Sequence, residues 1–152
     1  MTEYRFATLE AHLGRVYGPS RPVVVDQTRI AEFAEATGDH QWIHVDVERA
    51  RRESPYGATI AHGFLTLSLV AEAMEHVGIA PPDASAVINY GVEKVRFLSP
   101  VIAGATLSAR FTLTAVEPRG AGRKLLNIAG EVAAEGAGKP ALIGTFLVLV
   151  IA

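Results

Sequence analysis

Asp39 and His44 stand five positions apart in the stretch Thr37-Gly38-Asp39-His40-Gln41-Trp42-Ile43-His44. A carboxylate and an imidazole that converge on one water can orient it and take its proton, and positioned acid–base help of this kind is worth about 10²- to 10⁴-fold. That chemistry is hydration or hydrolysis without a metal. A plainer reading stands beside it: Asp39 can serve only to stabilise a turn through its own backbone, and His44 can be a satisfied core histidine. His40 and His44 are four apart with Asp39 and Asp46 nearby, which on a continuous helix would place two imidazoles on one face for a divalent ion. Gly38 and Asp39 open a turn there, however, and no Glu completes a zinc-protease pattern.

A further chemical element is Ala61-His62-Gly63, just before the most apolar helical stretch of the chain. The first turn of a helix has unpaired N–H groups and positive dipole character. The Gly63 N–H can therefore bind an oxygen that gains negative charge, and one such donor is worth about 10²- to 10³-fold in mutational tests on other enzymes. Gly63 can also serve tight packing of helix against sheet alone, and His62 can be a capping or hydrogen-bonding residue.

These residues need elements to hold them. Phe6, Leu9, Leu13 and Val16 recur at spacings of three and four, which predicts a short amphipathic helix over Tyr4 to Val16, an N-terminal extension within residues 1–19. Val23 to Val25 read as a brief strand. Asp26 offers an N-cap to a helix carrying Ile30, Phe33 and Ala34 on one face, closed by Gly38. Asp46 can cap the short helix VERARRE. From Ala61 to Val77 the residues leave almost no polar face, so this helix must be surrounded by protein. The remainder alternates as strands do, near residues 87–98, 106–117, 124–135 and 141–150. The expected architecture is α+β: an antiparallel meander wrapped around a long central apolar helix, in a single domain over residues 1–152. The last strand, ALIGTFLVLVI, is apolar on both faces, which predicts burial against a second subunit and at least a homodimer.

Composition narrows the class. The chain has 152 residues, 49% hydrophobic and 20% charged, with mean hydropathy +0.25; no uninterrupted apolar run approaches the roughly 18 to 20 residues of a membrane helix. With no cysteine, disulfides, thiolate nucleophiles and cysteine metal sites are excluded. A net charge of −2 gives no basic stripe for nucleic acid. The charged N-terminal stretch MTEYRFATLEAH has no apolar signal core, and a cytoplasmic location is expected.

The motifs resemble those of the MaoC-like, or (R)-specific enoyl-CoA hydratase, family, which has the hot dog fold. The resemblance rests on Ala36-Thr37-Gly38-Asp39, His44-Val45-Asp46, Ile60-Ala61-His62-Gly63, and Lys94-Val95-Arg96-Phe97 with Pro100-Val101, and it covers roughly residues 20–150. Gln41 and Trp42 stand where the family commonly has Asn-Pro; the Asp-to-His spacing is kept, and the departure bears on the turn and on the acyl pocket beside Trp42. The resemblance implies that Asp39 and His44 activate a water that adds to C3 of a trans-2-enoyl thioester and return a proton to C2, while the Gly63 N–H binds the thioester oxygen. The implied product is an (R)-3-hydroxyacyl thioester. The implied cofactor set is empty, coenzyme A being part of the substrate.

Tyr56, Trp42, Phe64 and Asn89 are candidates for the acyl tunnel, with Ala61 and His62 beside the thioester, although aromatic residues at such positions are more often core. Arg96, with Arg49, Arg51, Arg52, Arg123 and Lys124, is a candidate for the coenzyme A phosphates, against the plainer reading of a solvated charged face. Three alternatives share the fold. A dehydratase acting on acyl carrier protein would use the same site. A thioesterase would need an acidic residue near Gly63, whereas Glu72 and Glu75 sit in the last turns of the helix. A non-catalytic acyl-binding subunit would be expected to lose the Asp39–His44 pair.

Overall fold

The structure is a computed structural model that describes residues 2–152. A 3-10 helix, Phe6–His12, and a short strand β1, Val16–Tyr17, precede β2, Val23–Val25. Three helices follow, α1 (Gln27–Thr37), α2 (Trp42–Val45) and α3 (Val47–Glu53), then the long helix α4 (Gly63–His76) and four long strands: β3 (Ala86–Phe97), β4 (Ala105–Pro118), β5 (Arg123–Ala134) and β6 (Leu142–Ile151). Among the described residues no helix is long and apolar enough to cross a membrane.

The N-terminal segment differs from the α-helix expected over Tyr4 to Val16. A 3-10 helix has three residues per turn, which puts Phe6, Leu9 and His12 on one face, and Leu9 and His12 are the buried pair. Val16 and Tyr17 leave the helical pattern and pair with Thr112 and Phe111 of β4.

The sheet is antiparallel with strand order β1-β4-β5-β6-β3, and β2 also pairs with β4. Only β4, β5 and β6 form the expected meander. After α4 the chain enters the sheet at its far edge, so β3 lies beside β6 rather than beside β4. The inward side chains Leu107, Phe111 and Leu113 of β4, Leu126, Ile128 and Val132 of β5, and Leu142, Phe146, Val148 and Val150 of β6 are all buried. They form one apolar core with Leu65, Val70, Ala73 and Met74 of α4, so the sheet curls over this helix.

β6 therefore has both edges paired. The unpartnered apolar surface is on β3, where Val87, Ile88, Tyr90, Val92 and Phe97 are all exposed, and on the side of α4 that carries Phe64, Ser68 and Ala71. The expectation that α4 is enclosed on every side does not hold within one chain. The sequence placed the sticky strand last; the crossover moves that role to the strand that enters the sheet directly after the helix.

At the sheet centre Gly130 pairs with Gly144. A Cβ at Gly130 would lie 2.7 Å from the Phe146 ring and 2.8 Å from the Phe111 ring, and both rings are buried. Gly130→Ala is expected to destabilise the chain by about 1–3 kcal/mol through overpacking, read as a lower denaturation midpoint at unchanged slope.

Candidate active site

Asp26 caps α1 by accepting from the Arg29 N–H at 2.9 Å, and α1 ends on Gly38 in the left-handed region, φ 80°, where glycine avoids the Cβ clash. The next turn is short. Asp39 Oδ1 accepts from the Gln41 N–H at 3.3 Å, after which the single turn of α2 carries His44 inward until it is 6% exposed. Asp46 then caps α3 through the Arg49 N–H at 3.0 Å. Asp39 thus stabilises its turn, as the plainer reading held, and its second carboxylate oxygen remains free to face the histidines.

His44 is fixed by one strong contact: its Nδ1 donates to the Ile60 carbonyl at 2.7 Å. A carbonyl only accepts, so Nδ1 carries the proton and Nε2 of the neutral ring holds a lone pair. Ile60 is itself held, because its N–H donates to the Ile43 carbonyl at 3.0 Å while the flanking Ala61 N–H donates to Val101 and Thr59 accepts from Ala103. Gln27 completes the brace, donating to the His44 carbonyl at 2.8 Å and accepting from Thr59. Burial disfavours the imidazolium and lowers the His44 pKa, with His62 adding to that effect; the Ile60 carbonyl and Asp39 work in the opposite direction.

His62 lies against His44, ring centroids 3.8 Å apart and planes 24° from parallel. Its Nε2 donates to the Asp39 carbonyl at 2.9 Å and stands 4.0 Å from Asp39 Oδ2. One donor atom from each of Asp39, His44 and His62 falls within 4.8 Å of the other two. Imidazole lone pairs lie in the ring plane, so stacked rings direct them side by side instead of toward a common centre. This geometry suits proton transfer better than metal ligation. His40, the other histidine of the turn, points away to Glu35 at 2.7 Å.

A cavity of about 300 Å³ opens beside His44, lined in part by Tyr56, Ile60, Ala61, Gly63, Thr66 and Phe97. Gly63 is the first residue of α4, so its N–H has no carbonyl one turn back within the helix. A Cβ there would sit 3.1 Å from the Phe97 ring, which explains why glycine suits a position where helix and strand converge on the cavity. The structure therefore brings His44, Tyr56, Ala61 and Gly63 to one opening, and a carboxylate oxygen of Asp39 lies within 4.8 Å of a ring nitrogen of His44.

The other expected site residues fall elsewhere. Trp42 is half-buried beneath the Arg49 guanidinium, 4.2 Å from ring centroid to carbon, and does not line the cavity. His62 is 3% exposed and does not line it either, since its ring is enclosed between His44 and Phe33. Phe64 is 69% exposed and meets Phe97 edge-on at 6.0 Å. Asn89 lines a separate groove between α4 and β3, made of two adjoining pockets of about 400 and 310 Å³. Arg96 is exposed on β3 and donates to the Val95 carbonyl. Sequence reasoning missed Gln27, Thr59 and the Ile60 carbonyl, which hold His44, and Thr66, whose only sequence signal was its place one turn after Gly63.

An antiparallel sheet curled over one apolar helix defines the chain as a hot dog protein, with Asp39, His44 and His62 gathered where that helix begins. The model of the MaoC like domain matches residues 8–134, and the chain belongs to this MaoC-like dehydratase family. It is 42% identical over 151 residues to nodulation protein N of Rhizobium leguminosarum bv. viciae, covering 99% of this chain and 93% of the relative. It is also 42% identical over 146 residues to 3-hydroxyacyl-thioester dehydratase Z of Mycobacterium tuberculosis, covering 96% and 95%. Among solved structures, an R-hydratase from Pseudomonas aeruginosa matches with TM-score 0.77 over 98% of this chain and 86% of that one, at 24% identity, a likeness of fold.

The lowered pKa of His44 has a sign. Neutral His44 contributes stability that is fully present above the ordinary histidine value of 6.5 and is lost as pH falls through its depressed folded value. Denaturant midpoints measured from pH 7.5 downward should fall through this window in the native chain and fall less in His44→Gln.

Proposed function

We propose that this chain is a hydro-lyase that adds water to trans-2-enoyl-CoA to give (R)-3-hydroxyacyl-CoA and catalyses the reverse dehydration. The observation that carries this reading is that the Asp39 carboxylate lies within 4.8 Å of a ring nitrogen of His44, while His44 and Gly63, the first residue of α4, line one cavity. The name of the Mycobacterium relative, a 3-hydroxyacyl-thioester dehydratase that matches along nearly its whole length, supports the substrate class. The (R) configuration follows the motif resemblance of Asp39, His44 and His62-Gly63.

In the proposed reaction, Asp39 and His44 hold a water whose oxygen attacks C3. His44 Nε2 takes one of its protons, and the C2–C3 π electrons move onto the thioester as enolate-like charge. The Gly63 N–H binds the thioester oxygen, and the pair returns the proton to C2. Water supplies both added groups and no oxidation state changes overall, so the step calls for no electron carrier. Ala61 and Tyr56 flank the thioester. The acyl chain extends from Gly63 along the lining of the same cavity, past Thr66 and Phe97.

The chain acts as a homodimer in this reading. β3 is a 12-residue edge strand with apolar side chains exposed on both faces, a form that isolated sheets avoid. A second copy pairing β3 with β3 would cover Val87, Ile88, Tyr90 and Val92 and close the groove. Sedimentation should find a dimer, and replacing Tyr90 and Val92 by Lys should shift it to monomer.

The activity is tested by the loss of enoyl absorbance when the protein meets crotonyl-CoA. Asp39→Asn and His44→Gln should each lower the rate by about a hundredfold or more, near 2.7 kcal/mol of barrier. Release of free thiol unaffected by either substitution would replace this reading with a thioesterase, and reaction only on a carrier-protein thioester would change the carrier.

A further inference from the structure

His62 is buried, faces no opening, and yet touches four parts of the structure that converge on the water-activating pair. It is the N-cap residue of α4, directly before Gly63. Its Nε2–H donates to the Asp39 carbonyl, its ring stacks on His44, and Phe33 of α1 closes its other side at 5.1 Å. Its Nδ1 is buried without a hydrogen-bond partner. Leaving a buried polar atom unpaired costs about 1–3 kcal/mol. An apolar side chain there would remove the unpaired nitrogen but would also take the donor from the Asp39 carbonyl.

We propose that His62 is the positioning residue of the site: through its bond to the Asp39 backbone and its stack on His44 it sets the distance and angle between the two groups that hold the reacting water. The inference rests on the hydro-lyase reading and extends it to a residue that does not touch substrate. The geometry separates two roles. The Nε2–H fixes the Asp39 turn, whose other bonds are short-range, among them the Asp39 N–H to Thr37 Oγ1, the His40 N–H to the Gly38 carbonyl and the Gln41 N–H to Asp39 Oδ1. The ring fixes the tilt of His44 about its single anchor on Ile60. The charged and titratable groups facing His44 are His62 and Asp39, with Tyr56 across the cavity; His40 is engaged by Glu35 outside the site.

Two substitutions separate these roles. His62→Phe keeps a ring for the stack and removes the donor, whereas His62→Gln keeps a donor near the Nε2 place and removes the ring. For crotonyl-CoA hydration, His62→Phe is expected to lose about tenfold or more in kcat with KM little changed, because the loss is in alignment and not in substrate contact. His62→Gln is expected to recover only part of that kcat, the shortfall being the share of the stack. In both variants the acid limb of the pH–rate profile should move to higher pH, since His62 is one of the causes that lower His44, and the His44 ring signals followed by NMR should titrate at correspondingly higher pH. Native kcat in His62→Phe, or an unmoved His44 titration in both variants, would overturn the inference. The NMR titration needs no turnover. If the unsubstituted chain fails to hydrate crotonyl-CoA, the hydro-lyase reading falls, while the coupling of His62 to His44 is still decided by the titration. If His62→Phe does not fold, the His44 titration in His62→Gln decides, and an unmoved titration there overturns the inference.

Discussion

The site depends on the hydrogen bond from His44 Nδ1 to the Ile60 carbonyl. It makes Nδ1 the protonated nitrogen and leaves a lone pair on Nε2. Ile60 bridges to Ile102, and its neighbours bond to the chain before β4, so the orientation of His44 is referred to the sheet although His44 sits on a helix of only four residues. A single helical turn has little stability of its own. Its place is fixed by Gln27, Ile43 and Ile60, and the short segment Thr59–Ala61 works as a strap that joins α2, α4 and the sheet in one frame.

α4 has two duties that conflict. Its apolar side chains complete the core, while its N-terminal end must stay open enough to present the Gly63 N–H to the cavity. Glycine at the first helical position reconciles them, because any larger residue would press on Phe97. The far half of the helix is open along Ser68 and Ala71, where the groove to β3 begins. The same opening leaves β3 exposed. The groove and the unpaired edge are therefore consequences of one choice, the crossover that carries the chain after α4 to the far side of β6.

Much of this was legible in residue order. The caps at Asp26 and Asp46, the stop at Gly38 and the alternation of β4 and β5 are local signals, and local signals survive folding, while α4 begins at Gly63, two residues after the expected Ala61. The pairing of β3 with β6 is not local: alternation reports which side chains share a face but says nothing about which strand lies alongside, so the meander failed at its first strand. Phe6, Leu9 and His12 fit a period of three as well as an α-helical stripe, so that spacing did not distinguish the two. At the site, Asp39, His44 and Gly63 were readable from type and spacing, and Tyr56 from its aromatic ring. The Ile60 carbonyl was invisible because a backbone acceptor has no sequence signature, and Gln27 because its partners lie 17 and 32 positions away. Trp42 was misplaced toward the pocket because adjacency in sequence puts successive side chains of a helical turn in different directions; it points to Arg49 while His44 points inward.

The burial of the two members of the pair differs in a way that the chemistry can use. Asp39 has a side chain 53% exposed, while His44 is nearly enclosed. In the proposed reaction, a water between them would touch bulk solvent on one side and a desolvated imidazole on the other. Desolvation lowers the basicity of His44 in free energy terms, yet it also keeps the ring neutral, which is the form able to accept a proton. Asp39 and the Ile60 carbonyl both favour the imidazolium once it forms. Under the proposed reaction the buried ring would rest as an unprotonated base, with two oxygen groups beside it that favour the charge it would acquire, so burial and hydrogen bonding, which oppose each other at His44, would each serve a different stage of the proton's path.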